Sequence, residues 1–413
     1  MNANMRILLI LCCVYIFSFF LRLCPTVLSL DISRDLSIST AEVALFSSAT
    51  MFTYGLIQLP SGLLSDAFGG KNTILALTVL AGCSTIFFSL SDNVTLMTIS
   101  RGLTGVGIAI TVPAMAILAR NFPARIYGRS VSLLLCCGGL GGILASPPLI
   151  AFSKAFGWRT AMVTFGLLTL MLAAMVLCTI PADPVQTPRK TPSVKSVLRN
   201  VYSVVSFRSF WPPTLWLMLT AGTYFTLASL WWGPYLVQGC GLSMEEAGIL
   251  LTISSLMMLI TQPTCGYLSD TFFHSRKKPL LFLSVFGIAA SVMMVLLTGK
   301  MNFYVIVFQT VCLMLGISTG SPLAFTMVKE LFPLNMTGTA IGCMNMFYPV
   351  WAALMQAVFG FIYESFPATE PAVAFGGASW LIVANCTAAF IVCFFMKETF
   401  SEHREAQAAE AKS

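Results

Sequence analysis

Gly62-Leu63-Leu64-Ser65-Asp66-Ala67-Phe68-Gly69-Gly70-Lys71 is a short polar hinge between two long apolar runs, and its core returns as Gly266-Tyr267-Leu268-Ser269-Asp270. Superposing the copies at an offset of 204 residues also pairs Ser39 with Ser243, Glu42 with Glu246 and Gln58 with Gln262. The chain is two copies of one plan laid end to end. Parallel repeats of apolar segments are the build of secondary transporters, whose solute site lies between the repeats near the bilayer midplane.

Composition names the solvent. Of the 413 residues, 57% are hydrophobic and 9% charged, against about 25% charged in a soluble domain. Runs of about 20 apolar residues can span a bilayer, and twelve are found, near 7–30, 41–66, 72–91, 95–119, 130–152, 160–180, 211–236, 245–270, 279–298, 303–328, 337–362 and 373–396. The predicted fold is an all-α membrane protein of two pseudo-symmetric six-helix bundles, residues 1–181 and 210–397, with a linker at 182–209 and a tail at 398–413. Basic residues of short loops stay on the cytoplasmic side. Placing the N-terminus inside puts 17 of the 23 Lys and Arg there, four outside, and leaves Arg22 and Arg101 within segments. Both termini are thus expected to be cytoplasmic, in a plasma membrane, with the bacterial inner membrane favoured. The net charge of +7 reads as this bias and not as a nucleic-acid footprint. The first run is kept as a mature helix, since no small-residue cleavage site closes it. The 13 cysteines have no metal-ligand spacing and read as packing residues; no cofactor or metal is expected.

Candidate site residues follow from what lipid tolerates. Phe19-Phe20-Leu21-Arg22-Leu23-Cys24-Pro25 puts a guanidinium in the outer half of segment one, before a kinking proline. A charge at that depth should face a polar cavity, where the planar fork can hold a carboxylate or phosphate; snorkelling to the outer surface is the alternative. Tyr54 and Gln58 share a face of segment two by their spacing of four. Tyr224, Trp231 and Tyr235 share one of segment seven, unless the tryptophan belongs to an interfacial belt. Asn345, Tyr348 and Gln356 form a stripe on segment eleven that lines a cavity or glues helices together.

The hinge itself reads as a conformational latch built from Gly62, Asp66, Gly69, Gly70 and Lys71, with Asp270 in the second copy. Asp66 sits at a helix C-terminus that disfavours an anion and so needs a partner. Ser39-x-x-Glu42 and Ser243-x-x-Glu246 read as capping boxes before they read as proton carriers. Arg101, in Arg101-Gly102-Leu103-Thr104-Gly105-Val106-Gly107, needs an internal acceptor, either a neighbouring carbonyl or a coupling partner. Gly138 to Gly142 and Ser146-Pro147-Pro148 mark segment five as thin and kinked.

These features resemble the major facilitator superfamily across essentially the whole chain. Gly62 to Lys71 is similar to its first signature, with Ala67 where a basic residue is common and Gly70-Lys71 in place of two basic residues. The second copy lacks the glycine after Asp270. Arg101 to Gly107 resembles the fourth-helix motif of proton-coupled members, whereas the antiporter signature of segment five is missing. An arginine in helix one is similar to the organic-anion branches, and its Phe-Phe-x-Arg-x-x-Pro setting to bacterial relatives of dipeptide carriers.

The resemblance implies alternating-access transport of a small organic solute, with an organic anion or carboxylate expected, by a chain expected to act as a monomer. A dipeptide or other zwitterion carrier, a drug efflux carrier and a transporter-like sensor are the alternatives. An enzyme is not expected, because His274 and His403 lie outside the segments and no acid, base and nucleophile meet within them. All 16 acidic residues fall at segment ends, in loops or in the tail. If protons are the coupling ion, they must ride on the substrate, or on a segment-end acid such as Asp31 or Glu42.

Overall fold

The computed structural model describes residues 3–181, 194–367 and 369–400; the side chains of 3, 66, 124–129, 132, 194–197, 334 and 335 fall outside that description. Every regular element among the described residues is helical. Segment one is α1 (Ala3–Leu23) and α2 (Pro25–Leu36), segment two α3 (Thr40–Phe68), and segment three α4 (Gly70–Leu90). Segment four is α5 (Val94–Gly107) with α6 (Thr111–Asn121), segment five α7 (Ala124–Leu144) with α8 (Pro147–Phe156), and segment six α9 (Trp158–Thr179).

Of the predicted linker, 182–193 lies outside the described residues; the remainder holds α10 (Val194–Val205). Segment seven is α11 (Trp211–Thr226), a π-helical turn Leu227–Trp231, α12 (Trp232–Pro234) and a second π turn Tyr235–Gly239. Segments eight and nine are α13 (Met244–Leu268) and α14 (Lys277–Leu297). Segment ten is α15 (Phe303–Ile317) with α16 (Ser321–Leu331), segment eleven α17 (Leu334–Glu364), and segment twelve α18 (Pro371–Ala378) with α19 (Trp380–Phe394).

By length and hydropathy alone, ten described stretches could cross a membrane. Segments two and seven are not among them. Segment two carries Ser47, Ser48, Thr50, Tyr54 and Gln58, all buried, which dilute its hydropathy while facing protein. In segment seven Pro212, Pro213, Trp216, Tyr224 and four threonines lower the hydropathy in the same way. Glycines set the helix spacing. A Cβ on Gly55 would sit 2.7 Å from Val350 Cγ2 and 3.0 Å from the Met346 carbonyl, so α3 and α17 touch across the halves only because residue 55 has no side chain.

At the outer end the halves are tied by polar contacts. The Gly233 N–H donates to Thr26 Oγ1 at 2.9 Å, the Ala41 N–H to Glu364 at 2.7 Å, and Lys154 pairs with Glu245 at 3.1 Å.

Candidate functional site

The site begins with a proline. Pro25 has no N–H and its ring displaces the carbonyl four residues back, so it ends α1 and frees the Leu21 oxygen. The Arg101 guanidinium takes that oxygen, Nη2 donating at 3.1 Å from α5, with its face 5.6 Å from the Phe88 ring centre. Arg101 therefore caps the kink of segment one with a backbone bond; its Nε and Nη1 have no hydrogen-bond partner.

One residue on, Arg22 points the other way. The sequence placed it in the outer half of its segment. In the structure α2 continues for 12 residues beyond the kink, about 18 Å of helix at 1.5 Å per residue, so Arg22 lies just past the midpoint of residues 3–36, in the outer half. It is 1% exposed, which leaves no route for snorkelling. Its guanidinium carbon lies 3.9 Å from the Tyr54 ring centre, 4.5 Å from Phe19 and 5.4 Å from Phe225. Cation–π contact of this kind contributes about 0.5–2 kcal/mol each. That is too little to balance a buried charge without a counter-ion, and Arg22 Nε and Nη2 have no hydrogen-bond partner.

Three of the aromatic neighbours come from each half. Phe19 is held by α7, where a Cβ on Gly138 would meet its ring at 2.9 Å. Phe225 stacks on Tyr348 with centroids 5.5 Å apart and planes at 23°, and meets Tyr224 edge-on at 5.0 Å. Tyr15, Tyr54 and Tyr348 all lie in the electrostatic reach of Arg22, and Tyr224 joins them. The cluster of Tyr15, Phe19, Arg22, Tyr54, Tyr224, Phe225 and Tyr348 thus straddles the two halves. Gln58 stands one turn inward from Tyr54 on α3, 2% exposed, with neither amide atom hydrogen-bonded; a buried polar stripe continues from it through Ser61 to Ser65.

Tyr15, Phe19 and Phe225 were missed in the sequence. Tyr15, Phe19 and Arg22 stand at spacings of four and three, so the helical face of segment one carried the signal for the first two. Nothing marked Phe225 among its apolar neighbours.

Other expected site residues are placed elsewhere. The shared face of Tyr224, Trp231 and Tyr235 does not form, because the π turn at Leu227–Trp231 adds a residue to the helical repeat between them. Tyr224 turns to Arg22, while Trp231 packs against Phe359, Tyr363 and Phe375 of its own half and donates Nε1 to the Gln356 carbonyl at 3.1 Å. Gln356 is helix glue on its amide side, its Nε2 donating to the Phe225 carbonyl and to Ser229. Asn345 is half-buried on α17.

Both Glu42 and Glu246 complete capping boxes with Ser39 and Ser243. Asp31, on α2, accepts from Ser153 Oγ at 3.3 Å. In the hinge, Asp66 falls in the last turn of α3 and its side chain is outside the description; Gly69 turns the chain at φ 84°. Lys71 Nζ donates to the Leu177 carbonyl at 2.8 Å. The second copy is fully described. Asp270 pairs with Arg276, which also meets Glu330 at 3.2 Å. These partners belong to segments eight to ten, so among the described residues Asp270 clips its own half.

The profile of the Major Facilitator Superfamily matches residues 8–354 and 223–413. The chain belongs to that family, whose members are transporters and not enzymes. A probable galactarate/D-glucarate transporter of Bacillus subtilis is 24% identical over 84% of this chain and 83% of its own length. A probable sulfoacetate transporter of Cupriavidus necator is 22% identical over 87% of each. Among solved structures, a bacterial homologue of the human lysosomal transporter Spinster, inward-facing and unoccupied, superposes with a TM-score of 0.76 at 16% identity, over 98% of this chain and 97% of that one. That likeness shows the fold: twelve helices in two pseudo-symmetric bundles, a multi-pass membrane protein.

Proposed function

We propose that the protein carries a small organic anion, in the first instance a carboxylate, across a plasma membrane by alternating access of residues 1–181 against 210–397, with both termini inside. The observation that carries this reading is Arg22: a guanidinium inside a membrane segment, 1% exposed, with Nε and Nη2 unpartnered and aromatic rings from both halves around it. An anion arriving there supplies the missing counter-charge, and the halves close on it. The relatives named for glucarate and sulfoacetate carry anions, which supports the same class. The outer ties at Thr26, Ala41 and Lys154 fit a carrier closed outward, and open space beside Gly266 and Gly338 fits an inward opening.

Coupling is read from what surrounds the acids. Asp31 is held by Ser153 and Glu42 by its capping box, so neither stands free to load and unload a proton in the cavity. The substrate's own carboxylate is then the proton's vehicle: ionised it is held by Arg22, protonated it is released. Facilitated diffusion or weakly coupled symport follows. The test is uptake into proteoliposomes of carboxylates and their uncharged amides, with and without an imposed pH gradient. Amides transported as well as acids would remove the anion reading. Strong uphill accumulation abolished by Asp31→Asn or Glu42→Gln, with exchange retained, would remove the coupling reading.

A further inference from the structure

We infer that Gln58 reads a hydroxyl group on the substrate, so that the solute is a hydroxylated organic anion; this rests on the anion reading of Arg22. The starting point is a cost. A buried side-chain amide has one acceptor oxygen and a donor NH2, and each left without a partner forfeits its hydration. Gln58 is 2% exposed and neither Oε1 nor Nε2 has a partner.

The repeat supplies an internal control. Gln262 occupies the matching position of the second copy, and its Nε2 donates to the Ser318 carbonyl at 3.1 Å. A glutamine at this point of the plan can therefore be satisfied by the neighbouring broken helix. In the first copy that solution has not been taken, and the amide is left beside the cluster that holds Arg22.

Chemistry selects the group that fits. A carboxylate oxygen only accepts, so it would satisfy Nε2 and leave Oε1 bare; an ammonium only donates and would do the reverse. A hydroxyl donates once and accepts twice, and satisfies both ends of the amide. Tyr54, whose ring lies 3.9 Å from the Arg22 guanidinium carbon, is one turn from Gln58, about 6 Å along α3. A carboxylate at Arg22 and a hydroxyl a few bonds away are within the span of one compact solute.

The experiment uses matched pairs on the purified full chain: butyrate against 2-, 3- and 4-hydroxybutyrate, benzoate against 4-hydroxybenzoate, and adipate against D-glucarate. Affinity is read from the rise in unfolding midpoint as each is titrated. At least one hydroxylated acid should bind about tenfold or more tightly than its deoxy partner, the weight of one buried hydrogen bond. Gln58→Leu should bring that ratio close to one by weakening the hydroxylated acid.

The unliganded proteins give a second readout. Gln58→Leu should melt at or above wild type, because it removes unpaired polar atoms, whereas Gln262→Leu should melt lower, because it removes a hydrogen bond to the Ser318 carbonyl and leaves only the Ser321 hydroxyl on it. An unchanged ratio in Gln58→Leu, or a melting loss matching that of Gln262→Leu, would overturn the inference and leave the anion reading standing. If no acid of any series binds, the anion reading fails and takes this inference with it.

Discussion

Arg22→Lys keeps a positive charge at the kink of segment one and removes the planar fork that can grip a carboxylate with two parallel hydrogen bonds. Nε and Nη2 are both unpartnered in the unliganded chain, so both are free to donate, whereas an ammonium there offers a single point of contact. A hydrogen bond to a charged group contributes about 1.5–3 kcal/mol, and about 1.4 kcal/mol is a factor of ten. The anion's Kd should therefore rise about 10- to 150-fold in Arg22→Lys. Arg22→Met probes the other side of the same balance. It removes a buried charge that Tyr54 and Phe19 only partly compensate, so the unliganded protein should melt higher while anion binding is lost. The assay is a thermal titration of each purified variant with D-glucarate and a simple monocarboxylate, followed by uptake into proteoliposomes. A Kd for Arg22→Lys within a factor of two of wild type, with equal uptake, refutes the bidentate role. A fall in the Arg22→Met melting point below wild type refutes the claim that the charge lacks a partner.

Gly55→Val should destabilise the protein by about 1–3 kcal/mol through overpacking, since a Cβ there already meets Val350 Cγ2 at 2.7 Å; an unchanged melting point would mean that α3 and α17 are not pressed together. Glu398, beyond α19, has a carboxyl pushed up by burial but held below its ordinary range overall by the Ser275 hydroxyl and the Arg276, Phe400 and Lys277 N–H groups. Its stabilisation is therefore complete above the unfolded value near 4.3 and is lost as pH falls through the folded one. Wild type should lose more melting temperature than Glu398→Gln between pH 7 and pH 3, and parallel curves would contradict this. Asp66→Asn should slow turnover more than it weakens equilibrium binding, because a latch acts on the balance of states and not on the ligand; lost binding with normal exchange rates would show the hinge misread. Lys154→Ala breaks a pair that is 76% exposed on both sides, worth about 0–1 kcal/mol, and should leave uptake within a factor of two.

The fold was legible because lipid permits so few solutions. Twelve apolar runs, the repeated Gly-x-Leu-Ser-Asp and the capping boxes at Ser39 and Ser243 are local signals, each tied to a helix end or a helix length. Arg22, Tyr54 and Tyr348 were legible as well, since polar or charged groups on apolar segments stand out. What the sequence hid depends on contacts between segments. That Arg101 would take the carbonyl freed by Pro25 required knowing that α5 lies beside the kink. Trp231 turned away from Arg22 because of π turns, which leave no mark in the spacing of apolar residues. The full length of segment one was hidden as well, because α2 extends to Leu36 through Asp31, Arg34 and Asp35, residues that end an apolar run without ending a helix.

The two copies also show where a shared plan has been put to different uses. Asp270 is locked to Arg276, which in turn meets Glu330, while Glu398 accepts from the Arg276 N–H, so the inner end of the second half is clamped to its own tail segment. Gln262 is spent on the Ser318 carbonyl. In the first half the matching glutamine is unspent, and Arg22, Tyr54 and Gln58 all lie on its segments one and two. The second half contributes rings, Tyr224, Phe225 and Tyr348, while Gln356 spends its Nε2 on Ser229 and the Phe225 carbonyl. The proposed function then implies a division of labour in which the first half supplies the charge and hydrogen bonds that select a solute, and the second supplies the surface that closes over it. On that reading, substitutions at Arg22 or Gln58 should change which solute binds, whereas Phe225→Leu or Tyr348→Leu should weaken all bound solutes by a similar factor. Selectivity that shifts with Phe225 or Tyr348 while Gln58→Leu leaves it alone would reverse the assignment.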